Sequence, residues 1–174
     1  MDQKQARASA DRFIDTLHAI EGGDTTGIDR MVELFAENAE LTNPIIERAG
    51  SPRSGRNQVA TFWQNYRASF TDIQSEFYDI TSSERAAGLF WRSTGTLATG
   101  APLAYEGVSL LEFDDTGKIA RFKGYFDSDQ VVAKPATAAT AQPQANTHPA
   151  EQADTAQGVQ SVAHAATPPA TPAE

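Results

Sequence analysis

From Asp72 to Phe126 the chain is four strand-like runs laid end to end, and no other feature constrains the fold as much. The runs are DIQSEFYDIT, AAGLFWRSTGTLA, LAYEGVSLLEF and KIARFKGYF. TGAP joins the second to the third, and DDTG the third to the fourth. Both connectors have hairpin length and turn chemistry. Consecutive hairpins make an antiparallel sheet. Apolar residues fall on both parities of these runs: Trp91 against Phe90, and Val108 and Leu110 against Leu111 and Phe113. Both faces of the sheet therefore need cover.

The first half of the chain supplies helices for one face. ASADRFIDTLHAIEGGD puts Phe13, Ile14, Leu17 and Ile20 on one helical stripe and stops at Gly22-Gly23. TTGIDRMVELFAEN repeats the stripe with Ile28, Met31, Val32 and Phe35. A short strand, AELTNP, ends at Pro44, and the Gly, Pro and Ser of residues 45–56 read as a loop. NQVATFWQNYRASF gives a third helix with Val59, Phe62, Trp63, Tyr66 and Phe70 on one side. The order α-α-β-α-β-β-β-β describes an α+β domain: a curved antiparallel sheet covered by three helices, with a concave interior suited to a small molecule.

All fifteen aromatic residues lie between Phe13 and Phe126. The domain is therefore expected over residues 1–130. Residues 131–174, rich in Ala, Pro, Thr and Gln, have too little to bury to offset their ordering entropy and are expected to form a disordered tail. The net charge of −9 disfavours a nucleic-acid partner. The chain has no cysteine, which excludes disulfides and thiolate chemistry. No apolar run is long enough to span a membrane, and the first residues lack the apolar core of a signal peptide, so a cytoplasmic location is expected. No His and carboxylate spacing points to a metal site, and no cofactor is implied.

The element order, with ELTNP, SGRNQVATFW and GKIARFKGYFD at their spacing, resembles the nuclear transport factor 2-like superfamily, and within it the SnoaL-like group, over residues ~8–130. The resemblance implies a cone-shaped α+β fold, a small hydrophobic ligand and a homodimer formed through the open face of the sheet. Function varies widely on this fold, so it rests on individual residues. LTNPIIERAGSPRSG is similar to a segment of ketosteroid isomerase, but Asn43 stands where that family has its proton-shuttling aspartate. Phe13 and Ser109 stand where it has its oxyanion-hole tyrosine and protonated aspartic acid, so that mechanism is not expected. RFKGYFD is similar to the last strand of limonene epoxide hydrolase. There Asp127 matches its acid, Asn43 its water-positioning asparagine and Arg92-x-Thr94 its Arg-x-Asp pair. The SnoaL-like polyketide cyclases need only one acidic residue at the end of the last strand, and Asp127 stands there.

These comparisons imply Asp127, Arg92 and Asn43 as catalytic residues; Phe13, Trp63 and Tyr66, whose stripes are more often core, are candidate substrate contacts lining an apolar cavity, with Thr94, Ser109 and Tyr125 beside them. Plainer roles stand beside them. Asp127 caps the turn DSDQ, or faces a pocket near Arg92. Period-2 alternation puts it with Arg121, Lys123 and Tyr125, so reaching the pocket requires a twist or bulge near Gly124. Asn43-Pro44 is common turn chemistry. Arg92 is either paired in a pocket or exposed. Two functions stay open: a cofactor-independent cyclase, isomerase or hydrolase acting through Asp127, and a non-catalytic ligand-binding or dimerisation module.

Overall fold

The computed structural model describes residues 1–131, so the expected tail lies outside the described residues except for its first position, Val131. Helix α1 spans Gln3–Glu21 and α2 Gly27–Leu34. Strand β1 spans Phe35–Thr42, helix α3 Pro44–Arg48, strand β2 Arg53–Ser54 and helix α4 Arg56–Ala68. The four long runs follow as β3 Phe70–Ser82, β4 Ala86–Leu97, β5 Pro102–Phe113 and β6 Ile119–Phe126, and a 3-10 turn, η1, spans Ser128–Gln130. None of these helices is long and apolar enough to cross a membrane.

Local chemistry sets the helix ends. Asp2 and Gln5 form a capping box that satisfies orphan amides at the start of α1. Gly23, at φ +86°, turns the chain away after Glu21. The loop expected over 45–56 is more ordered than its composition predicts. The Asn43 side chain accepts from the amides of Ile45 and Ile46, and Pro44 sits in the first turn, so Asn-Pro starts the short helix α3. Strand β1 begins at Phe35, four residues earlier than its alternation shows, because an irregularity between Phe35 and Glu40 breaks the period.

One six-stranded sheet runs β2-β1-β6-β5-β4-β3. The three long hairpin pairings are antiparallel, as expected, but β1 joins β6 in parallel, which the hairpin pattern could not reveal. The registers align inward-facing rows across β3, β4 and β5. One row is Ser75, Ser93 and Tyr105; the next is Phe77, Trp91 and Gly107. Gly107 is required there: a Cβ would lie 2.7 Å from the Trp91 indole and 2.4 Å from the Tyr125 carbonyl.

Helices α1, α2 and α4 bury their stripes against this inner face. The core is strongly aromatic. Trp63 meets Phe13 at 5.7 Å, Phe62 at 4.9 Å, Tyr66 at 5.5 Å and Phe122 at 5.7 Å between centroids, edge to face in each case. Burying each such ring contributes about 2–3 kcal/mol. A second group, Trp91, Tyr105 and Phe126, packs at 5.1–6.3 Å. The outer face carries Arg92, Thr94, Glu106, Arg121 and the half-exposed rings of Tyr78 and Tyr125.

Candidate functional site

The sheet separates the residues that the sequence groups together. Phe13, Trp63 and Tyr66 form one continuous aromatic wall inside the fold. Ser109 also faces inward, 6% exposed, and its hydroxyl accepts from the Trp91 indole N–H at 3.1 Å. Asn43 is buried near Gly124, and its amide oxygen is committed to capping α3.

Arg92, Thr94 and Tyr125 lie on the outer face. The Arg92 guanidinium stands 3.6 Å from Glu106 and 4.7 Å above the Tyr78 ring. The expected pairing of Arg92 with Asp127 is therefore corrected: successive β4 residues point to opposite faces, and Ser93 and Trp91 take the inner one. Asp127 is exposed, and its carboxylate accepts from the Asp129 amide at 2.9 Å, capping η1. No bulge re-aims it, because the β5–β6 register runs unbroken from Gly107↔Phe126 to Glu112↔Arg121.

A polar cluster that the sequence did not single out lies inside. The Glu21 Oε1 accepts from the Tyr66 hydroxyl at 2.7 Å and from the Ser75 hydroxyl at 2.6 Å. Its Oε2 accepts from the Ser75 amide at 3.0 Å. The Ser75 hydroxyl lies 2.7 Å from that of Ser93, and Tyr105 is the next residue of the row. His18, one turn before Glu21, donates from Nε2 to the Ser75 carbonyl at 2.9 Å. Burial, and then the Tyr105 and Glu21 neighbours, push the Tyr66 phenol well above the usual tyrosine range. Burial, and then the Glu21 charge, do the same to Tyr105. Both therefore stay protonated as donors at neutral pH.

The signal for Glu21 was its spacing. It follows Leu17 by four residues and Phe13 by eight, so a carboxylate continues the apolar face of α1. Two other inward polar atoms, Trp63 Nε1 and Thr42 Oγ1, are buried with no hydrogen-bond partner among the described residues. Two clefts, of about 190 and 400 Å³, lie elsewhere, between the first half of α1 and the β5–β6 turn. Among the described residues no group of three or more metal-ligating side chains converges.

The helices that wrap one face of the sheet, and the sheet itself, fall almost wholly within residues 10–122, the span that matches the SnoaL-like domain. The chain belongs to the SnoaL-like family. A crystal structure of an NTF2-like protein of unknown function from Exiguobacterium sp. 255-15 is similar, with TM-score 0.59 and 18% identity over 68% of this chain and 98% of that one. So is SalBIII, an epoxide hydrolase/cyclase-like enzyme with a role in pyran ring formation in the polyether salinomycin. Its TM-score is 0.57, with 15% identity over 71% of this chain and 94% of that one. At these identities the likeness establishes the NTF2-like fold of this SnoaL-like chain and no more. No curated protein matches its sequence.

Proposed function

We propose that this SnoaL-like protein binds a small hydrophobic molecule within the concave side of its sheet and acts on it by acid/base chemistry without a cofactor. The observation that carries this reading is the Glu21–Tyr66–Ser75–Ser93–Tyr105 cluster, one carboxylate and two protonated phenols at the end of an aromatic interior. Glu21 is the group that takes and returns a proton. The Tyr105 phenol, beside Ser93, donates to negative charge that develops on a substrate oxygen. The surrounding rings leave the cluster only partly open to water, which strengthens both interactions. The ring-forming enzyme of the same fold supports this class of chemistry by analogy alone. We give Asp127, the acid/base residue that the sequence favoured, a capping role instead.

Glu21→Gln keeps the shape of the side chain and removes its basicity. With a substrate in hand, it is expected to cut turnover by about 10²–10⁴, the range for one general acid–base group, while Asp127→Asn leaves turnover unchanged. The reverse result returns the role to Asp127.

A second reading, a ligand-binding or dimerisation module, has its own support. The outer face exposes Tyr78 and Tyr125, each 47% accessible, beside the half-buried Phe90, Val108 and Leu110. A second copy laid on this face covers them. Sedimentation at micromolar concentration is expected to give a dimer, and a monomer alone counts against this pairing.

A further inference from the structure

Resting on the reading that the concave interior is a ligand site, we infer that it selects hydrophobic ligands bearing a protonated amine. The motive is an unbalanced charge. Glu21 reaches the inner row of the sheet, yet among the described residues no lysine or arginine pairs with it. The cations near the fold point elsewhere. Arg92 and Lys123 are on the outer face with Glu106 and Glu47, Arg56 donates to the Phe35 carbonyl, and Arg67 donates to the Phe70 carbonyl. His18 offers Nε2–H to a backbone carbonyl and not to the carboxylate.

Three further observations agree. Helix α1 ends at Glu21, so its C-terminus adds negative potential here. A carboxylate offers about four lone-pair sites. Oε1 uses two and Oε2 uses one, which leaves one on Oε2 for an N–H from a ligand. Aromatic rings border the cluster and suit a hydrophobic ligand: Tyr66 packs edge to face with Phe70 at 5.1 Å, and Tyr105 with Trp91 at 5.1 Å. Carboxylates and phosphates are repelled by the same field.

The test is a titration of the full chain at pH 7 with 2-phenylethylamine, 2-phenylethanol and phenylacetate, followed by the fluorescence of Trp63 and Trp91. The amine is expected to bind at least about tenfold more tightly than the alcohol, since an ion pair with the carboxylate replaces a hydrogen bond from a neutral donor. Phenylacetate is expected to leave the fluorescence unchanged. Glu21→Gln is expected to erase the advantage of the amine and to weaken the alcohol much less than the amine. Equal binding of amine and alcohol overturns the inference and leaves the interior-site reading standing, as does an amine preference that survives Glu21→Gln. Silence from all three probes overturns both. If Glu21→Gln does not fold, the ratio of amine to alcohol on the unaltered chain still decides.

Discussion

Two acidic residues close secondary-structure elements at different places in this molecule, and they behave as opposites. Asp127 follows β6 and Glu21 ends α1. Each accepts a hydrogen bond from a backbone amide. Asp127 does so in solvent, for an amide two residues away. Glu21 does so across 54 residues, and it also collects two side-chain hydroxyls from α4 and β3. A carboxylate in water is screened and exchanges its partners cheaply. One held between helices and sheet has few substitutes for the donors that it satisfies, and among those donors only the Ser75 hydroxyl has another acceptor beside it, Ser93. In the function proposed above, what matters is which side of the sheet the carboxylate reaches. Standing at the end of a strand is not enough.

The sharpest way to break the comparison is to truncate both. Glu21→Ala leaves the Tyr66 hydroxyl and the Ser75 amide without this acceptor and the Ser75 hydroxyl with Ser93 alone, and we expect a loss of about 3 kcal/mol, given 1–3 kcal/mol for each orphaned group and incomplete additivity. Thermal unfolding is the check, with a fall in midpoint of about 10 °C. Asp127→Ala removes one cap from a three-residue turn and is expected to cost less than about 1 kcal/mol. Equal losses at the two positions defeat the comparison.

A smaller effect sharpens it with pH. Tyr66 and Tyr105 have phenol pKa values raised in the fold, chiefly by burial. In the unfolded chain a tyrosine ionises near pH 10. Below that pH the folded and unfolded chains hold the same phenol protons, and this contribution to stability is complete. As pH rises above about 10, the unfolded chain releases these protons first, so stability falls. Urea midpoints between pH 9 and 11 are expected to drop, and Tyr105→Phe to flatten that drop. An unchanged slope in the variant shows that the Tyr105 phenol is not held in the interior.

How much of this was legible follows from the kind of signal each residue gives. The hairpins were plain because turn chemistry and alternation are local. The aromatic wall of Phe13, Trp63 and Tyr66 was plain because 3.6-residue periodicity is local too. The polar row was not, since Ser75, Ser93 and Tyr105 meet only through the register of three strands, and each looks ordinary alone. Glu21 was hidden by its neighbours, because Gly22-Gly23 marks a helix stop and draws attention from the face on which the last helical residue lies. The side taken by Arg92 was unreadable for a different reason: β4 is apolar on both parities, with Trp91 on one and Phe90 on the other.

That ambiguity gives the smallest expected effect. Arg92 and Glu106 are 59% and 65% exposed and 3.6 Å apart, the geometry of a pair worth between nothing and about 1 kcal/mol, and the Tyr78 ring beneath the guanidinium adds little in solvent. Arg92→Ala is therefore expected to move the unfolding midpoint of the isolated chain by less than about 2 °C. A measurement across a range of chain concentrations separates two origins of any larger effect. If the loss is large only where the chain is a dimer, Arg92 acts in the contact between copies, and the outer face is an interface. If it is large at every concentration, Arg92 is held within one chain by more than a surface pair, and the assignment of β4 faces on which the contrast between Glu21 and Asp127 depends has to be redrawn.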